Sequence, residues 1–171
     1  MTKPPKRYEA DLAYEDVATE LEYNPETGEL RWLRGHCGSR KVGKIAGCVS
    51  ASGYRVVRMF GRLFYAHRVA WLLHHREWPP LRIDHIDGNK TNNRIRNLRL
   101  ATQSQNLMNV GVRSHNTSGV RGVFLTKGRR GFKPYRADLG GKTIGYYGTL
   151  DEAARAREKA ARAAFGEFYK P

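Results

Sequence analysis

The chain is poor in cysteine: 171 residues carry two, Cys37 and Cys48, with no Cys-x-x-Cys pair. That scarcity excludes a disulfide scaffold and an all-cysteine zinc site, and it predicts a reduced, cytoplasmic setting. Long apolar runs are missing too. The longest is Val69 to Leu73, five residues, against the ~20 that a membrane span needs, so no membrane partner is expected. Met1-Thr-Lys-Pro-Pro-Lys6 leads into charged residues, so no secretory signal is expected. Acidic residues are few: 16 Asp and Glu face 31 Lys and Arg, a net charge of +15.

The positive charge is uneven. Residues 1–50 hold 8 basic and 8 acidic residues, 51–109 hold 10 and 3, and 110–171 hold 13 and 5. Solubility alone does not require such asymmetry. Polyanion binding does, because each Lys or Arg on a phosphate releases condensed counterions. The basic residues do not line one face of an apolar-backed helix, so a lipid surface is a poorer match. With 40% hydrophobic residues, the chain has the material for a packed core.

Periodicity divides the chain into parts. In residues 1–50, Tyr14, Val17, Ala18 and Leu21 recur at helical spacing. Leu21/Tyr23 and Leu30/Trp32 flank the Asn24-Pro-Glu-Thr-Gly28 turn as a hairpin. The neutral charge of this part suggests a scaffold. Residues 51–111 form a second part, with strands at 54–60 and 63–65 about a Gly61-Arg62 turn. A helix at 66–75 is ended by Pro79-Pro80. A strand at 83–85 runs into an Asp-Gly-Asn turn, and a helix spans about 101–109. Residues 112–118 read as a polar linker. Residues 119–171 form the last part, with strands at 120–125, 135–139 and 143–147. Thr149-Leu-Asp-Glu152 then opens an Ala-rich helix as a capping box, and Gly166 closes it. The expected class is α+β.

The chemistry concentrates in residues 83–109. Phosphodiester hydrolysis needs a base for water, a Lewis acid for the developing charge, and support for the leaving oxygen. His85 can accept a proton near neutral pH. The Asp84 carboxylate and the Asn106 amide oxygen would suffice for one hard divalent ion, with phosphate and water completing its shell. Asn97 could fix the intervening loop through backbone hydrogen bonds. Strand neighbours point to opposite faces, so Asp84 and His85 share a site only where the strand ends or twists. Residue types alone leave open a turn aspartate and a packed imidazole. An EF-hand is excluded by Ile86, which stands where an oxygen ligand is needed. His74-His75-Arg-Glu77 is not a zinc-peptidase motif.

The run His67-Arg-Val-Ala-Trp71, Ile83-Asp-His-Ile-Asp-Gly-Asn89, Asn92-Asn93, Arg96-Asn-Leu-Arg99, Thr102-Gln-Ser-Gln-Asn106 and Asn109 resembles the HNH nucleases. It is closest to phage and intron-encoded homing endonucleases whose third motif residue is Asn. The resemblance implies a small ββα-metal core and cleavage of double-stranded DNA. It assigns His85 as general base, Asn97 as the structural middle Asn of the motif, and Asp84 and Asn106 as ligands of one Mg²⁺ or Mn²⁺. Asn106 in place of His favours hard ions. One site per chain implies nicking by a monomer, or double-strand cutting by a DNA-dependent dimer. No small-molecule substrate is evident.

Residues Gly119-Val-Arg-Gly-Val123, Tyr135-Arg-Ala137, Gly145-Tyr-Tyr-Gly-Thr149 and Phe165-Gly-Glu-Phe168 resemble the plant ethylene-response-factor DNA-binding domain. That resemblance implies a three-stranded antiparallel sheet packed on one helix, with the sheet face on DNA. Arg121, Lys127, Arg129, Arg130, Lys133, Arg136 and Lys142 are the candidate contacts. The plant domains place Trp on that face, where this chain has none. Phe124, Tyr135 and Tyr146 are the candidate substitutes. In the nuclease part, Arg68, Arg94, Arg96 and Arg99 are expected on phosphates. His67 is expected to be a packed histidine. The alternative reading is a DNA-binding protein that keeps the nuclease fold without catalysis. Retention of Asp84, His85, Asn97 and Asn106 argues for the enzyme.

Overall fold

A computed structural model describes Glu9, residues 11–35, 41–108, Asn116, 118–126 and 133–169. They fall into two compact units, 1–102 and 103–171. Among the described residues, no helix is long and apolar enough to cross a membrane.

The first unit opens with α1 (Tyr14–Ala18) and the hairpin β1 (Leu21–Asn24) and β2 (Glu29–Trp32). Leu21 pairs with Trp32 and Tyr23 with Leu30, the alternation the sequence predicts. Strands β3 (Cys48–Val49), β4 (Arg55–Met59) and β5 (Arg62–Tyr65) form an antiparallel sheet. The β4–β5 turn lies at Phe60-Gly61, one residue earlier than the sequence suggests. Both residues have positive φ, 49° and 71°, as a two-residue primed turn requires. Helix α2 (Ala66–His75) buries Ala66, Val69, Ala70 and Leu72. It stops before Pro79-Pro80. Arg76 takes the left-handed conformation and its N–H closes on Leu72 O at 2.7 Å, so a local cap ends the helix and the prolines do not.

Val17, Leu21, Leu30, Trp32 and Ala46 share one core with Val57, Met59, Phe64, Val69 and Leu72. The N-terminal part is therefore built into the nuclease-like part. Beyond α2, β6 (Arg82–His85) pairs antiparallel with β7 (Leu98–Ala101), which follows a 3₁₀ turn at Ile95–Asn97. Ile83 and Leu98 pack with Ala70 of α2, which fixes the hairpin's apolar side.

The second unit holds α3 (Gln103–Met108), the antiparallel sheet β8 (Val123–Leu125), β9 (Tyr135–Leu139), β10 (Lys142–Tyr147), and α4 (Leu150–Phe165). Helix α4 packs on the sheet through Ala153 against Val123 and Ala137. The Thr149 hydroxyl accepts from Glu152 N–H at 3.2 Å, and Glu152 Oε2 accepts from Gly148 and Thr149 N–H. Both predicted helix boundaries hold. The whole is α+β, as the sequence pattern predicts.

Candidate active site

Asp84 and His85 occupy the last two positions of β6, and both are buried. A strand interior would send them to opposite faces, but the strand ends at His85 and Gly88 N–H turns back onto His85 O at 2.8 Å. Loop 86–97 is closed by Asn97. Its Oδ1 accepts from Asp87 N–H at 3.0 Å, and its Nδ2 donates to Asn92 O at 2.8 Å and to Asp87 Oδ1 at 2.9 Å. Ile86 N–H also donates to Asn97 O. One asparagine thus ties the loop's entry to its exit.

Asp87 is the loop's internal acceptor. It takes Asn92 Nδ2 at 2.6 Å and Asn89 N–H at 2.7 Å. Burial alone would raise its pKa, but the hydrogen bonds from Asn92, Asn97 and Asn89, with the nearby His85, outweigh burial and lower it. The sequence reading gave Asp87 no such role.

His85 Nε2 lies 3.1 Å from Asn93 Oδ1. Its ring meets His67 edge to face at 5.1 Å and lies 6.1 Å from the Tyr54 ring. Burial lowers the His85 pKa, against opposition from the Asn93 hydrogen bond and from Asp87 and Asp84. His67 is packed, stacked on Tyr65 at 5.4 Å. Burial, then the charges of His85 and Arg68, push its pKa down to about 3, so it is a neutral wall beside His85.

Asp84 pairs across the hairpin with Arg99, whose Nε and Nη2 both lie 2.9 Å from Asp84 Oδ2. Arg68 is likewise bound internally. Its Nε and Nη2 reach the two Glu9 oxygens at 2.7 Å, and it also donates to Pro79 O and Leu81 O. These two guanidiniums, expected on phosphates, hold protein carboxylates instead. Arg94 and Arg96 are exposed on the loop. Asn106, the other expected metal ligand, sits half-buried on α3 in the second unit.

On the second unit's sheet, Phe124, Arg136 and Tyr146 stand in register across the three strands. The Arg136 guanidinium lies over the Phe124 ring at 5.3 Å and pairs with Asp138 at 2.9 Å. Tyr135, a candidate for the same face, packs with the helix-side cluster. Lys133 and Lys142 are exposed and Arg121 is half-buried. Lys127, Arg129 and Arg130 lie outside the described residues.

With this geometry in place, the comparisons identify the class. A family model described as HNH endonuclease matches residues 64–108, which carry the whole β6–loop–β7 hairpin. An uncharacterized HNH endonuclease of Acanthamoeba polyphaga mimivirus is 32% identical over 135 residues, 76% of this chain and 68% of the relative. The chain belongs to the HNH endonuclease family. Protein 3.8 of Escherichia phage T7 is 47% identical over 47 residues, 28% of this chain and 39% of that protein. Among solved structures, that of the HNH homing endonuclease I-HmuI, on DNA binding and cleavage, is similar with a TM-score of 0.39 and 29% identity. It covers 53% of this chain and 51% of that one. The chain thus spans well under two thirds of the phage protein and of the homing endonuclease.

Proposed function

We propose that this protein is a divalent-metal-dependent DNA endonuclease that nicks one strand per active site. The observation that carries the reading is a buried histidine at a strand end, next to a buried aspartate and followed by a loop clamped shut by Asn97. His85 takes a proton from water as the water oxygen attacks phosphorus and the 3′ oxygen leaves. Asn97 keeps the loop, and with it the imidazole, in one position.

The donor chemistry fits a hard ion. Among the described residues, no group of three or more His, Cys, Asp or Glu could cage a metal. The Asp84 carboxylate is the kind of hard oxygen ligand that Mg²⁺ or Mn²⁺ takes when phosphate and water complete its shell, and the motif resemblance assigns the Asn106 amide oxygen as a further ligand. Such an ion supplies neutralisation of charge on the phosphate. The second unit's ethylene-response-factor-like sheet supplies DNA affinity through Lys133, Arg136, Lys142 and Arg121, and Lys127 and Arg130 are further candidate contacts. Arg94 and Arg96 add contacts on the loop. Net charge of +15 supports double-stranded DNA as the partner.

A supercoiled-plasmid assay tests the reading. Conversion to open circle with Mg²⁺ or Mn²⁺, stopped by EDTA and lost in Asp84→Ala, is expected. Conversion that persists in EDTA, or in Asp84→Ala, would refute metal dependence at this site. Salt-sensitive binding with no cleavage of any member of a randomised-site library would favour a non-catalytic DNA-binding protein.

A further inference from the structure

The general-base reading leaves open which imidazole nitrogen takes the proton, and what decides it. The candidate is Asn93, which lies eight residues beyond His85 and outside the motif positions 84, 85, 97 and 106. The residue is 1% exposed, among the most buried polar residues of the first unit. Among the described residues its Nδ2 has no hydrogen-bond partner, while its Oδ1 lies 3.1 Å from His85 Nε2. A buried amide with half its capacity unmet opposes folding unless its surroundings hold it there.

The N-terminal hairpin holds it. Tyr23 Oη donates to Asn93 O at 2.7 Å, and Ile95 N–H donates to Pro25 O at 3.2 Å. Gly28 sits so close that a Cβ there would come within 2.6 Å of Asn93 C and 2.5 Å of Arg94 N. Three points of the β1–β2 hairpin therefore press on the backbone of residues 93–95. The neutral segment 1–50 contributes position, where the basic segments contribute charge.

We propose that Asn93 is a positioning residue that fixes the tautomer of His85: its Oδ1 accepts the Nε2 hydrogen, leaving the basic lone pair on Nδ1. This rests on the reading of His85 as general base. Were the amide reversed, Nδ2 would donate to Nε2, the ring hydrogen would sit on Nδ1, and neither nitrogen would be ready to take a proton. The Oδ1 orientation also suits the imidazolium formed after proton transfer, since Nε2 remains a donor throughout.

Two measurements on the full chain test this. Long-range ¹⁵N–¹H correlations of histidine-labelled protein, with His85 assigned by its loss in His85→Ala, read the neutral tautomer directly. The Nε2–H form is expected, and the Nδ1–H form would overturn the proposal whatever the activity. In Asn93→Leu the plasmid-nicking kcat should fall ~10²-fold with DNA affinity unchanged, the range lost with a group that orients another. Asn93→Asp, which keeps an acceptor, should recover most of that loss. If Asn93→Leu misfolds by circular dichroism, the Asn93→Asp rate and the wild-type tautomer decide the matter. An Asn93→Leu rate within twofold of wild type would overturn it. Normal cleavage by His85→Ala would refute the general base separately, while the tautomer measurement would still stand.

Discussion

Two nitrogens of Arg99 meet one oxygen of Asp84: Nε and Nη2 of the guanidinium both lie 2.9 Å from Oδ2, across a register in which the two residues face each other. The pair is buried, with side chains 13% and 3% exposed. The arginine that sequence reasoning placed on DNA instead balances the charge of the carboxylate proposed to bind metal. Removing one partner of a buried pair leaves an uncompensated charge and costs ~3–5 kcal/mol.

Arg99→Ala is therefore expected to lower stability by ~3–5 kcal/mol in urea unfolding, while Arg94→Ala, at an exposed site, stays within ~0.5 kcal/mol. Equal small effects at both positions would contradict the pairing.

Arg68 and Lys142 separate structural from DNA-facing charge. Lys142→Ala should reduce the salt dependence of DNA binding by about one unit of slope, as for one lost phosphate contact. Arg68→Met should leave that slope unchanged in the folded protein and lower the thermal midpoint, because its donors serve Glu9, Pro79 and Leu81. Filter binding across a salt series beside thermal melts would show it. A slope change in Arg68→Met would return Arg68 to the DNA surface.

His67 makes stability depend on pH. Its native pKa is about 3, below the ~6.5 of an unfolded histidine. The unfolded chain binds the proton first, so stability falls as pH drops from ~6.5 toward 3 and is independent of His67 above that window. Between pH 7.5 and 5 this amounts to about 2 kcal/mol. His67→Phe should flatten that part of the curve in urea titrations at the two pH values. An unchanged pH dependence would mean that His67 is not buried as a neutral ring.

Most of the fold was legible in residue order. Alternating Leu21, Tyr23, Leu30 and Trp32 gave the hairpin, and Thr149 with Glu152 gave the start of α4, because local periodicity and caps are local physics. The positions of Asp84, His85 and Asn97 were legible as a motif. What the sequence hid was how side chains pair over long separations. Arg68 with Glu9, 59 residues apart, and Tyr23 with Asn93, 70 apart, leave no periodic signature. Asn93 was visible only as one of two adjacent asparagines, since a loop residue buried by a distant hairpin breaks no pattern. Arg68 and Arg99 read as phosphate contacts for the same reason: a guanidinium reads so until its carboxylate, here Glu9 or Asp84, is found.

The most direct test of the account is single-turnover cleavage of a bound DNA duplex by wild type and His85→Ala in Mg²⁺, with affinity measured in parallel. The account predicts a rate lower by ~10²–10⁴-fold at equal affinity, the contribution of a general base. Cleavage at the wild-type rate would contradict it and move the base elsewhere.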